Sequence, residues 1–249
     1  MTAGRQTAIG LTLAALIAAA WLATHVWGVF FHPWTPLGLA TAAPLVALNT
    51  WLGAGMFIVA HDAMHGSLAP GRPRVNRAVG QLAVGLYAAF PFGLLNRKHH
   101  EHHRSPGSAA DPDFHADAPT AFWPWYLRFF RTYFGWPQAA LIVAVFLVYR
   151  FALGASWLNA AAFWGLPSIL SSLQLFTFGT WLPHRHDGEA FADRHNARTQ
   201  EFGWLLSLLT CFHFGYHREH HLSPTTPWWR LPAVRAERRI GMDAVTPGA

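Results

Sequence analysis

Residues 37–65 read LGLATAAPLVALNTWLGAGMFIVAHDAMH. No charge occurs from 37 to 60, and the run then closes on His61, Asp62 and His65. A helix needs about 20 consecutive apolar residues to cross a bilayer, so this stretch is long enough to span one. It ends in side chains that ligate metals. The fold and the chemistry therefore have to be read together.

Outward from that stretch, residues 6–61 contain no Asp, Glu, Lys or Arg and are interrupted only by the polar turn HPWTP at 32–36. They predict two spans, about 9–31 and 37–60. The first apolar run exceeds the 7–15 residues typical of a signal-peptide core, so it reads as a retained anchor. Further stretches, uncharged over 132–149 and 151–183 with Arg150 between them, predict spans at 132–153 and 161–182. The stretch 78–95 holds Gly80, Gly85, Pro91 and Gly93, and 202–216 is short and aromatic; both read as interfacial or re-entrant pieces. Charged residues make up 12% of the 249-residue chain, about half the usual share for a soluble domain. The expectation is a single all-α integral membrane domain over 1–249, with four transmembrane helices plus interfacial helices.

The net charge of +6 is compatible with nucleic acid or with a membrane surface, and its placement favours the membrane. With four spans and both termini on one side, all acidic residues and all Lys and Arg except Arg150 fall on that side. Cytoplasmic loops concentrate Lys and Arg, so that side is expected to be the cytoplasm and nucleic acid is not an expected partner. The basic segment RLPAVRAERR at 230–239 reads as a topology signal or a lipid-headgroup contact, with an acidic partner as the alternative. The lone cysteine, Cys211, rules out an internal disulfide and reads as a small buried apolar residue.

Sixteen histidines remain to be explained. On this topology His61 and His65 close the second span, and HHEHHRSP at 99–106 lies in the following loop. His184 and His186 leave the fourth span, and HREHHLSP occupies 217–224. Positions i, i+3 and i+4 share a helix face. His61/His65 is such a pair, and His99/His102/His103 and His217/His220/His221 are such triplets, each able to serve one centre or to bridge two. His100 and Arg218 turn away. Glu101 and Glu219 face farther off still and read as supporting or surface charges, with Arg97 the expected partner of Glu101. Pro106 and Pro224 end the two turns. Eight histidines plus His184 exceed the needs of one tetrahedral zinc and suit two metals with nitrogen ligands. Imidazole binds Fe, Zn, Cu or Ni, so the metal stays open at this point. A transporter would place its site near the midplane, and a haem protein would place axial histidines within spans. Redox chemistry on a lipid-soluble substrate fits better than either.

HDAMH, HHEHH and HREHH resemble the three histidine boxes of the membrane fatty-acid desaturase and hydroxylase superfamily. The words around them are narrower in kind. HDAMHGSLAPG (61–71), NRKHHEHHRSPGSAADPDFH (96–115), GTWLPHR (179–185) and FHFGYHREHHLSP (212–224) resemble the bacterial β-carotene ketolases, over roughly 50–235. The resemblance implies a non-haem di-iron centre using O₂ as co-substrate. Its ligands would be His61, His65, His99, His102, His103, His217, His220 and His221, with His184 as a ninth for which His186 and His213 compete. Asp62, Asp111 and Asp113 sit beside the boxes as candidates to hydrogen-bond and orient ligand imidazoles; a solvated turn is the alternative at Asp111–Pro112–Asp113. The implied reaction takes a carotenoid from the bilayer and hydroxylates ring carbon 4 twice, and the geminal diol loses water to give a ketone. Aromatic residues around 78–95, 122–136 and 202–216 would line an apolar tunnel or form interface belts. No G-x-G-x-x-G after a strand and no C-x-x-C-H occurs, so a ferredoxin-like donor is the implied source of electrons. Carotenoid hydroxylase and fatty-acyl desaturase share the boxes and remain alternatives, as does a metal transporter from another class. The resemblance is to bacterial enzymes, and the implied location is the inner membrane with termini and site cytoplasmic.

Overall fold

A computed structural model describes residues 1–186, 188, 191 and 193–245, with side chains as far as residue 239. The described residues form helices and turns and contain no strand. Among the described residues three helices are long and apolar enough to cross a membrane: α1 (Ala3–Phe31), α2 (Pro36–Met64) and α7 (Trp157–His184). Between α2 and α7 lie two bent pairs. α3 (Pro73–Ala88) meets α4 (Phe92–Arg104) at 103°, and α5 (Phe122–Tyr133) meets α6 (Trp136–Ala152) at 80°. The chain closes with α8 (Trp204–Cys211), α9 (His217–Leu222) and α10 (Leu231–Val245).

Local chemistry explains the breaks. The Thr35 hydroxyl accepts the Gly38 N–H, and Pro36 occupies the first turn of α2, where its missing N–H costs nothing. α3 ends at Ala89 in the left-handed region (φ 57°), followed by Pro91. The bend is locked by close packing, since a Cβ on Gly80 would stand 2.3 Å from the Phe92 ring. Only glycine lets the two helices fold together there. The predicted span 132–153 is therefore not one straight helix. It turns at Phe134–Gly135, and α6 covers about 26 Å at 1.5 Å per residue, close to the roughly 30 Å hydrocarbon core of a bilayer.

Among the described residues four π-helical turns occur, one at the end of α1, one at the end of α6 and two in α7, at Ala161–Gly165 and Thr177–Trp181. Buried amides join the long helices. Asn49 of α2 donates to the Phe163 carbonyl of α7 at 2.8 Å and accepts from Thr24 of α1 at 2.8 Å. The α1–α2 turn meets the first turn of α7 through Trp34 Nε1, which donates to Asn159 Oδ1 at 2.6 Å, and Asn159 Nδ2, which donates to the His32 carbonyl at 3.1 Å. The histidine-bearing ends of α2 and α7 lie at the opposite end of the bundle. Large apolar side chains such as Leu37, Trp136 and Phe151 remain exposed. Such exposure suits hydrocarbon, where lipid rather than water meets the helix.

Candidate metal centre

Four segments deliver histidines to one end of the bundle. Their donor nitrogens form two groups, in each of which the donors lie within 4.8 Å of one another. The first group holds His61, His65, His99, His103 and His220; the second holds His102, His184, His217 and His221. The groups abut, with the His103 and His221 rings stacked at 4.3 Å.

The two phrases HHEHH and HREHH divide their ligands in complementary ways. On α4, the i, i+4 pair His99/His103 joins the first group, and His102, at i+3, crosses to the second. On α9, the pair His217/His221 joins the second group, and His220 crosses to the first. At about 100° per residue, i+4 falls about 40° to one side of i and i+3 about 60° to the other. That offset lets one triplet face two neighbouring points, so each triplet bridges the groups.

These residues fit metal ions on two independent observations. The Nε2 atoms of His61 and His184 are buried without a hydrogen-bond partner. Other Nε2 atoms approach one another at 2.7 Å (His65–His99), 3.1 Å (His99–His103), 3.0 Å (His103–His220), 3.1 Å (His102–His221) and 3.0 Å (His217–His221). Ligands about 2.1 Å from a shared octahedral ion stand about 3.0 Å apart along an edge. Burial first, and neighbouring imidazoles second, push His217, His220 and His221 well below the ordinary histidine range. They are neutral at physiological pH, the form that donates a lone pair.

Hydrogen bonds at the far ring nitrogens fix ring orientation. The His102 Nδ1 meets Asp111 at 2.9 and 3.0 Å, and the His184 Nδ1 meets the Asn196 carbonyl at 2.7 Å. Each arrangement leaves Nε2 to face its group. Asp111 is buried and also accepts the N–H groups of Gly107 and Asp113, both at 2.8 Å, so the segment is not a solvated turn. Burial acts to raise its carboxyl, but the charge and hydrogen bond of His102 and the two N–H donors hold it below the usual carboxylate range. Asp113 is raised, chiefly by burial, and accepts from the Tyr133 hydroxyl. Asp62 is placed otherwise: both its oxygens accept the Trp228 N–H at 3.3 Å, so it anchors the segment before α10 instead of orienting an imidazole.

Several other expectations change. Glu101 pairs with Lys98 at 2.9 Å, not with Arg97. Glu219 is buried, accepts from the Thr199 hydroxyl and faces Arg235 at 3.5 Å. Arg235, within the basic tail, is itself buried, pairs with Glu201 and lies over the Tyr216 ring. Part of that tail is therefore structural. His213 stacks on Tyr216 and His186 on Phe114; neither joins a group, and His184 does. His100 is exposed and bonds the Asn96 carbonyl. Asn196 carried no sequence signal, because its contribution to His184 is a main-chain carbonyl. Tyr133 was equally hidden, its partner Asp113 lying 20 residues away.

An apolar cavity of about 790 Å³, open mouth included, reaches this centre. His99 of the first group and His102 and His217 of the second line its inner end, with Phe214 packed 4.7 Å from His61 and 5.0 Å from His217. A Cβ on Gly179 would stand 2.2 Å from the Phe214 ring, so the π-helical turn of α7 admits that ring only because residue 179 has no side chain.

Comparison with known proteins agrees with this architecture. A family model described as fatty acid desaturase matches residues 33–142 and 130–244. A beta-carotene ketolase of a Paracoccus species is 51% identical over 237 residues, covering 93% of this chain and 94% of that protein. A beta-carotene ketolase of Haematococcus lacustris is 36% identical over 254 residues, covering 91% and 78%. A sphingolipid delta(4)-desaturase DES1-like protein of Oryza sativa subsp. japonica is 30% identical over 206 residues, covering 75% and 61%. With boxes, helices and relatives in agreement, the chain belongs to the fatty acid desaturase family and, within it, to the bacterial-type β-carotene ketolases.

Proposed function

We propose that this chain is a β-carotene 4-ketolase with a di-iron centre held by His61, His65, His99, His103 and His220 on one side and His102, His184, His217 and His221 on the other. The observation that carries the reading is an apolar cavity whose inner wall includes imidazoles of both groups. The relatives named for β-carotene ketolation add the substrate class. An iron pair supplies activation of O₂ when bound. The protein's own part is to hold the imidazoles, to exclude water through Phe214 and the cavity wall, and to keep the His102 and His184 rings oriented through Asp111 and Asn196.

Each hydroxylation consumes one O₂, two electrons and two protons and releases one water. Two rounds at ring carbon 4, followed by loss of water, give the ketone. The electrons come from outside the chain, and a ferredoxin-type carrier is the proposed donor. We further propose four spans, with α6 as the shortest, and both termini and the histidine end in the cytoplasm, on the strength of the Lys and Arg distribution.

The test is expression in cells that make β-carotene, followed by pigment analysis. The expected product gains one oxygen and loses two hydrogens per ketone. Unchanged pigment, with iron-loaded protein and a working donor present, would overturn the proposal. A product with a hydroxyl or a new double bond instead would assign the hydroxylase or desaturase alternative.

A further inference from the structure

The cavity at the metal centre adjoins a second one, with which it shares lining residues. This second apolar chamber, also about 790 Å³ with its mouth, lies towards the end of the bundle remote from the histidines. Tyr87, Phe90, Phe130 and Ser172 line both. Polar atoms at this waist are paired with one another: the Tyr87 hydroxyl with Ser171 at 2.5 Å, and the Tyr126 hydroxyl with Ser172 at 2.7 Å. The waist thus presents hydrocarbon to whatever passes through it.

α7 runs the length of both chambers. Gly165, Ile169, Ser172, Leu175 and Gly179 recur at intervals of three or four and line one chamber or the other, which places them on one helix face. From Gly165 to Gly179 that face extends about 21 Å at 1.5 Å per residue. A channel of this length is far longer than a substituted cyclohexene ring requires.

We infer that the two chambers form a single substrate channel parallel to α7, and that the far chamber, at Gly165, Ile142, Phe146 and Trp164, binds the polyene beyond the ring being oxidised. The inference rests on the ketolase reading and adds to it a specificity element remote from the metals. Ring-bearing fragments use the near chamber alone, whereas full-length carotenoids use both.

Gly165→Leu tests this. A Cβ at residue 165 meets nothing closer than the Ala160 carbonyl at 3.9 Å, so the backbone accepts the side chain and the chamber is filled. Binding is measured without turnover, under argon and without donor, for all-trans β-carotene and for β-ionone, a fragment that carries the ring and only a short enone chain. The expected result is at least tenfold weaker β-carotene binding with β-ionone binding within twofold of the parent. Equal loss for both ligands, or no loss for either, overturns the channel. Gly165→Cys gives a second readout, because Cys211 is buried and contributes little background. β-Carotene should slow its labelling by a membrane-permeable maleimide at least fivefold, and β-ionone should not; labelling rates indifferent to β-carotene overturn the assignment. If the parent protein binds no carotenoid at all, the ketolase reading itself fails and the channel with it.

Discussion

Replacing Asp111 by asparagine keeps the shape of the side chain and removes half of its acceptor capacity. One carboxylate oxygen accepts the Gly107 N–H and the other the Asp113 N–H, both at 2.8 Å, while His102 Nδ1 stands 2.9 and 3.0 Å from the pair. Whichever way the amide is turned, its NH₂ confronts a buried backbone N–H, and the charge-assisted bond to His102 is weakened. A hydrogen bond to a charged group contributes about 1.5–3 kcal/mol. Losing roughly 2 kcal/mol corresponds to about 30-fold at 1.4 kcal/mol per decade, within the 10–100-fold typical of residues that orient metal ligands. The assay is iron retention by purified Asp111→Asn against a graded chelator, together with ketone formation from β-carotene. Both should fall by about that factor while the helices stay folded. Iron affinity and turnover within twofold of the parent would refute the argument that Asp111 sets the His102 ring.

Removal of one donor from either group, by His102→Ala or His220→Ala, is expected to abolish activity and bound iron, whereas His100→Ala, at an exposed ring outside both groups, should retain both; metal analysis of the three variants decides. Gly179→Ala places a Cβ 2.2 Å from the Phe214 ring; overpacking of this kind costs about 1–3 kcal/mol, so a lower unfolding temperature and reduced iron content are expected, and unchanged values would show that Phe214 moves freely. Asn49→Leu breaks the link between α1, α2 and α7; with buried bonds between membrane helices worth about 0.6 kcal/mol on average, denaturant titration should show a loss of about 1 kcal/mol with the iron content preserved. In metal-free protein, His217, His220 and His221 are held neutral by burial and take up protons on unfolding. The penalty is absent above the unfolded value near 6.5 and grows as pH falls below it, by up to about 1.4 kcal/mol per pH unit for each group. Melting temperatures independent of pH between 5 and 8 would contradict this.

The charge-free stretches and the i, i+3, i+4 histidines were sufficient for an all-α membrane protein with helix-borne ligand sets, because both depend on local periodicity and on the cost of charge in hydrocarbon. The straight run expected at 132–153 failed where Gly135 and Pro137 start a new helix after an 80° turn, a break that an uncharged composition conceals.

Partner choice within the site lay beyond sequence. Spacing established that His99, His102 and His103 share a face; only the packing of α4 against α9 and the ends of α2 and α7 sent His102 to one group and its neighbours to the other. Asp62 and Asp111 looked equivalent beside their boxes, yet one anchors Trp228 and the other orients His102. The His184 partner is a main-chain carbonyl at Asn196, a group every residue carries. Helix periodicity decides which side chains point the same way, whereas tertiary packing decides what they meet.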